Sequence, residues 1–462
     1  MVRNMVLAVA LTATTATVAL GGGFLCMLAG DQFSLSDQQV HDLRSQGPRG
    51  LEQALATWDR LAEVISDIDA VMVEQVDPDV HLTEARELAE SHAAALRPQI
   101  DAIAGQRDAT VSRLYWFTDL NEAKQAAAEA GKPILSLRML GKLTDELSCA
   151  NSRYFRTALY ANTEVSDFLR DHFVLHWQSV RPVPRVTIDF GDGRKLERTI
   201  TGNSAHYVLD AAGRPFDALP GLYGPKSFRQ WLERSDNLVH ACATASGDEA
   251  RQEVLAQYHG HRLQVIEGAF RDDLDCTSPD LLPVAMERTA VSAKAHGKPT
   301  AKEAAFRAVT KTAEVAPIVE ELLPAEGVLD RQDDAFWLRI AERHADDAHL
   351  DAASVAIIRR ENPDARAAGH AAYSKSRVED PIARLVLSFE AAIALDSVKN
   401  EYMLHRKIHE WYASREAPED LDALNERVYA ELFLTPSSDP WLGLAPADAY
   451  TGLSEGGLSA TP

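Results

Sequence analysis

The sequence predicts an α+β protein, with a central α/β segment between an N-terminal helical hairpin and an all-helical C-terminal region. Three observations carry this reading. Apolar residues recur every three to four positions at Leu51, Leu55, Trp58, Leu61 and Ile65, and at Leu88, Leu96, Ile100 and Ile103, as in helices with one apolar face. Between residues 134 and 210 the pattern changes to short apolar runs bounded by turn residues, which suits buried strands. From Ala335 onward helical spacing returns, broken at Asn362-Pro363, Asp380-Pro381 and Ala417-Pro418.

The chain has 462 residues, 46% of them hydrophobic, enough for two or three domains with a sizeable core. The expected division is a signal or anchor at 1–30, a helical region at 31–110, the α/β domain at 111–240, a helical domain at 241–453 and a frayed tail at 454–462. Its formal net charge of −22 argues against a nucleic-acid partner, because phosphate binding needs clustered Lys and Arg.

Met5 to Gly30 contains no charged residue and follows Arg3, which predicts an export signal. Its length fits a cleaved secretory signal or an uncleaved spanning helix of roughly 20 residues. Cys26 raises a lipid anchor as a third option, although Phe24-Leu25 stand where small residues are preferred. Each option places the rest of the chain in the periplasm or on the outer face of the membrane, touching the bilayer only through this segment.

The elements follow in order. The two N-terminal helices form a hairpin around Asp77-Pro78-Asp79 and read as packing or spacing elements. Asn121 to Gly131 is an Ala-rich helix closed by Gly131, and Ile134 to Met139 is a buried strand. A polar loop, Gly141 to Ser148, delivers Cys149 to a helix running in two pieces to Asp171, with a break near Ala161-Asn162. Phe173 to Trp177 is the next strand. Val186–Phe190 and Lys195–Ile200 form a hairpin turning at Gly191-Asp192-Gly193. His206 to Asp210 is a further strand, and a closing helix begins after Gly224-Pro225. The turn-rich segment from Thr435 to Leu444 is read as the cap of a core.

Trp116, the Ala-rich helix, Gly131-Lys132-Pro133-Ile134, the Cys149-Ala150-Asn151-Ser152 loop, Thr163-Glu164-Val165, Phe173-Val174, Val208-Leu209-Asp210 and Pro220-Gly221 stand in an order that resembles bacterial thioredoxin-like proteins. The resemblance runs from Trp116 to Trp231, about a quarter of the chain. It implies a thioredoxin fold in which the 186–200 hairpin replaces or extends a connecting helix. Cys149 matches the first motif cysteine, and Ser152 stands in place of the resolving one. Ser204, in Gly202-Asn203-Ser204-Ala205, matches the family's cis-proline. A cis bond before a non-proline residue costs roughly 2.5–4 kcal/mol, so a trans backbone is expected there.

The chemistry that follows is that of a single thiol. At a helix N-terminus the unpaired backbone N–H groups favour a thiolate, with Ser152 as hydrogen-bond donor and Arg138 and Arg153 as candidate cationic neighbours. Asn203 and Ser204 then line a substrate groove. Such a site forms mixed disulfides that an external protein thiol resolves, an exchange, isomerase-like or redox-sensing role. The competing reading is a redox-inactive binding or scaffold module that meets a partner protein. No cofactor is expected in either case.

Cys242 and Cys276 sit about 40 Å apart if Asp248 to Asp275 is one straight helix, but a fold-back at Gly260 would let them pair. Glu401, His405 and His409 fall at successive i, i+4 positions. A hydrogen-bonded helix surface is the default reading of that spacing, with cation chelation as the alternative. His172 and His176 share the spacing but are expected to point apart, and His344 and His349 lie with Asp346 and Asp347 at a predicted helix end.

Overall fold

The computed structural model describes residues 23–29, 33–73, 80–200, 202–277, 331–363 and 381–442. The expected export signal falls mostly on residues 1–22, outside the described residues, as does the tail from 454. No helix of the described residues is long and apolar enough to cross a membrane.

The chain divides into two compact units, residues 1–116 and 117–462. The first is helical: α1 (Asp37–Ser45), α2 (Pro48–Val73) and α3 (Val80–Ala104). The side chains that predicted the hairpin make its core, with Leu51, Leu55, Leu61, Leu96, Ile100 and Ile103 buried. Ser36 caps α1 through a reciprocal bond with Gln39, satisfying backbone donors that the helix itself cannot.

The second unit carries a mixed five-stranded sheet. After β1 (Trp116–Phe117), which lies at the boundary, its elements begin with α4 (Leu120–Ala130), β2 (Ile134–Leu140), α5 (Ala150–Tyr154), α6 (Thr163–His172) and β3 (Val174–Arg181). They continue with β4 (Arg185–Asp189), β5 (Lys195–Thr199), β6 (Ser204–Leu209), β7 (Pro215–Pro220) and α7 (Pro225–Ala243). The sheet order is β1-β3-β2-β6-β7. β2 pairs parallel with β3, Ile134 opposite Val174, and antiparallel with β6, Met139 opposite Ser204; β6 pairs antiparallel with β7. Every residue of β2 is buried, as a central strand covered on both faces requires. β4 and β5 form a separate two-stranded ribbon in the expected place.

Local chemistry explains the boundaries. Asp119 caps α4 by accepting from the N–H groups of Asn121 and Glu122, and Gly131 ends it in the left-handed conformation at φ 65°. The two-piece helix after Cys149 is α5, extended by a π-helical turn over Phe155–Leu159, then α6 capped by Asn162. β7 was not expected; prolines at both ends mask a strand whose six residues are all buried.

The remaining helices are α8 (Asp248–Thr277), α9 (Arg331–Arg343), α10 (Ala352–Glu361), α11 (Pro381–Lys399), α12 (Arg406–Ala413) and α13 (Leu421–Arg427). π-helical turns extend α11 over Asn400–His405 and α13 over Val428–Leu432. Sheet and C-terminal helices belong to the same compact unit, which has no division at residue 240. Gly260 does not break α8: it is one unbroken helix of 30 residues, about 45 Å long at 1.5 Å per residue. A Cys242–Cys276 bond is therefore ruled out, and all four cysteines are free thiols.

Candidate functional site

The sequence places Cys149, Ser152, Asn203 and Ser204 in one groove, and the structure does bring them together. Cys149 is the N-cap of α5, with extended backbone angles (φ −60°, ψ 158°), and its Sγ accepts from the backbone N–H of Ser152 at 3.4 Å. Asn151 Nδ2 donates to Ser204 Oγ at 2.9 Å, tying the motif helix to the start of β6. Gly202 allows this approach. A Cβ there would stand 3.0 Å from Asn151 Oδ1, so a larger residue would push β6 away from the motif. No cis peptide occurs among the described residues, and β6 begins at Ser204 as regular strand, as expected for a non-proline there.

Two expectations are corrected. The Ser152 hydroxyl is not the sulfur's donor: that role falls to its backbone N–H, and Ser152 Oγ is buried without a hydrogen-bond partner. More consequentially, there is no open groove. Cys149, Ser152 and Ser204 have no exposed surface, and Asn203 is 1% exposed.

The cover comes from the far end of the chain. Tyr429, in the π-helical turn after α13, donates its hydroxyl to the Asn203 carbonyl at 3.1 Å. Asn203 Nδ2 donates to Thr435 Oγ1 at 2.8 Å, and Tyr207 donates to Asn425 Oδ1 at 3.1 Å. Arg181 fastens the segment by donating to the carbonyls of Thr435, Pro436 and Asp439. Thr435 and Leu442 are buried, so this segment does cap a core. Of the cationic candidates, Arg138 joins this assembly and Arg153 reaches the β4–β5 ribbon. Arg138 pairs with Asp422 of α13 at 3.0 Å and donates to Gln178, while Arg153 donates to Thr199 Oγ1 at 3.2 Å. Burial pushes the Tyr429 phenol well above its ordinary pKa, with the nearby Tyr207 and Cys149 adding to the shift.

A second concentration of polar groups lies in the same unit. Glu401, His405 and His409 are not a solvent-facing helix surface: His405 and His409 are 1% and 0% exposed. His405 Nδ1 lies 2.8 Å from Glu401 Oε2, and its Nε2 lies 3.5 Å from Asp217 Oδ1 of β7. Asp217 also accepts from Trp231 Nε1 at 3.0 Å and from the N–H of Ala218 at 2.8 Å. His409 Nδ1 lies 2.7 Å from His259 Nδ1, whose Nε2 meets the Phe216 carbonyl at 2.9 Å. Burial depresses the His405 pKa, but Glu401 and Asp217 outweigh it and hold the imidazole up at about 9. Burial holds His259 down at about 4 and depresses His409 too, reinforced there by the charge on His405. Asp217 and His259 have no spacing signal linking them to His405. The one hint is a carboxylate inside an apolar strand, Pro215 to Pro220.

Next to this cluster opens a cleft of about 280 Å³ lined by Tyr223, Trp231, Arg234, Arg262, Glu401 and Tyr402. At its rim, His344 lies 2.8 Å from Asp273 and 3.7 Å from Asp347. Tyr402 and Arg343 donate to the same Asp273 carboxylate, and Lys226 pairs with Asp347. The two carboxylates raise the His344 pKa from 6.5 to about 9. This folded value lies above the unfolded one, so the stabilisation is complete below about pH 6.5 and is lost as pH rises through about 9. His344 is a third exposed, and solvent screening reduces the contribution to about 1–2 kcal/mol. His344→Gln is expected to lower stability at pH 6 by that amount and to leave it unchanged at pH 10, measured by urea unfolding. An equal loss at both pH values would refute the assignment. The remaining histidine pair behaves as expected, with His172 against Asp236 and His176 buried against Ser136.

No protein-family model matches the chain, and no curated protein or solved structure is significantly similar to it.

Proposed function

We propose that the sheet-bearing unit is a thioredoxin-like domain whose substrate face is filled by its own C-terminal segment, and that the protein acts as a redox-inactive binding or scaffold module of the cell envelope. The fold assignment is supported by the strand order β1-β3-β2-β6-β7, by the parallel pairing of β2 with β3, and by antiparallel β6 and β7. A helix that begins with Cys149 after β2 adds to it. Placement outside the cytoplasm rests on the uncharged run from Met5 to Gly30.

The observation that carries the functional reading is the complete burial of Cys149 beneath a segment hydrogen-bonded to the residues that would line its groove. A thiol attacks a disulfide only where the partner sulfur can approach it, and a buried thiol behaves as a small apolar side chain. The test is a maleimide labelling count on the native chain at neutral pH. Of the three thiols beyond the export segment, Cys276 is exposed whereas Cys149 and Cys242 are buried, so one of these should react natively and all three after denaturation. Burial also pushes the Cys242 thiol up to about 11, which slows it further. Rapid native labelling of Cys149, located by peptide mapping, would overturn this reading in favour of a monothiol exchange protein.

A further inference from the structure

We infer that Asp217, His405 and His409 form a binding site for one divalent transition-metal ion of the zinc class. One nitrogen of each histidine and one Asp217 oxygen lie within 4.8 Å of one another, drawn from strand β7, the π-helical turn after α11, and α12. All three residues are 1% exposed or less.

The hydrogen bonds around the cluster leave the right atoms available. The Phe216 carbonyl can only accept, so it fixes the proton of His259 on Nε2 and makes His259 Nδ1 an acceptor. His409 Nδ1 must then be the donor at 2.7 Å, which leaves His409 Nε2 with a lone pair; that atom is buried and has no hydrogen-bond partner. On His405, Glu401 takes the Nδ1 proton, and Nε2 faces Asp217 across 3.5 Å, too far for a good hydrogen bond, so an ion entering between them displaces the Nε2 proton of the metal-free imidazolium. Both imidazoles are therefore oriented from behind, one by a carboxylate and one by a second histidine, as ligating histidines usually are. Asp217 is held in turn by Trp231 and the Ala218 N–H.

Two imidazoles and one carboxylate suit zinc and its neighbours rather than magnesium or calcium, which take oxygen ligands. Three protein ligands leave a fourth position for water or a small anion. The cleft lies one layer of side chains away, since Glu401 and Trp231, which contact the ligand residues, also line its wall. The π-helical turn fits as well, because such turns inside α-helices are frequent at functional sites. The inference is independent of Cys149 and stands whether or not that thiol reacts.

The test is metal analysis of the untagged full-length chain, purified without chelator and then titrated with zinc and with cobalt. The expected result is one ion per chain, a zinc-dependent rise in melting temperature, and visible cobalt bands of a low-coordinate nitrogen and oxygen site. Asp217→Asn and His409→Gln should weaken zinc at least about tenfold, and Glu401→Gln, which meets His405 at Nδ1 and not at the ligating Nε2, should weaken it by about 10–100-fold. A wild-type chain that binds neither ion overturns the inference. So does unchanged affinity in Asp217→Asn and His409→Gln, which would place the ion elsewhere. Should those two variants not fold, Glu401→Gln decides: unchanged affinity there overturns the site.

Discussion

Tyr429→Ala should lower the unfolding free energy by about 3–5 kcal/mol and make Cys149 reactive toward thiol reagents. Tyr429 has no exposed surface, and its ring meets Phe433 edge-to-face at 5.2 Å. Truncation thus removes a large buried ring, an aromatic pair worth about 0.5–1.5 kcal/mol, and the donor to the Asn203 carbonyl. It also removes one of the contacts holding the C-terminal segment over the motif, the one nearest Cys149. Tyr429→Phe separates the two effects: it keeps the ring, forfeits the hydroxyl at about 1–2 kcal/mol, and should leave Cys149 closed. Urea unfolding gives the stability and timed alkylation gives the accessibility. A Tyr429→Ala variant as stable as wild type, with Cys149 still unreactive, would remove the covering role from this residue. Should the uncovered thiol react at the rate of a thiolate at neutral pH, the helix N-terminus retains activating power and the cover regulates it; a rate typical of an unperturbed thiol means the motif is inert even when open.

How much of this was readable in the chain depends on the distance over which each feature is determined. The helix from Leu120 to Ala130 is fixed by neighbours, Asp119 at one end and Gly131 at the other, and both were legible. The strands of the 134–210 segment announced themselves as apolar runs; the motif order set the Cys149 loop near Ser204, but the residue that makes the contact, Asn151, carried no signal. The closed state of the groove was not legible. Its determinants, Tyr429 and Thr435, lie more than 220 residues from Asn203; the segment from Thr435 reads locally as a core cap, but nothing local says which surface it covers. The same holds for Asp217. Glu401, His405 and His409 shared a visible helical spacing, but the partner that changes their meaning comes from β7, whose flanking prolines concealed it as a strand. Gly260 misled in the other direction. A glycine costs a helix interior about 1 kcal/mol relative to alanine, too little to break a 30-residue helix whose residues Leu255, His259 and Ile266 are buried against the rest of the fold.

Asp217→Ala should destabilise the apo chain by about 3–5 kcal/mol, as breaking a buried ion pair does by leaving the other charge behind. Asp217 has no exposed surface and lies in the sheet, with Trp231 and the Ala218 N–H donating to it and His405 facing it. Burial by itself would raise the carboxyl pKa. His405 chiefly, with His259 and His409, pulls it well below the usual carboxylate range, so the group is ionised at neutral pH. Removing it strands the Trp231 donor in apolar surroundings and leaves His405 with Glu401 as its sole carboxylate partner. Asp217→Asn keeps the volume and can still accept from Trp231, so its cost should be about half as large. The ranking of the two variants is the diagnostic part. If the carboxylate mattered only by filling space, asparagine would be nearly neutral; if charge alone mattered, the two would be equally damaging. Denaturant unfolding of metal-free protein at pH 7 measures both, and a loss below about 1 kcal/mol in Asp217→Ala would mean that the imidazole cluster rearranges to do without its carboxylate.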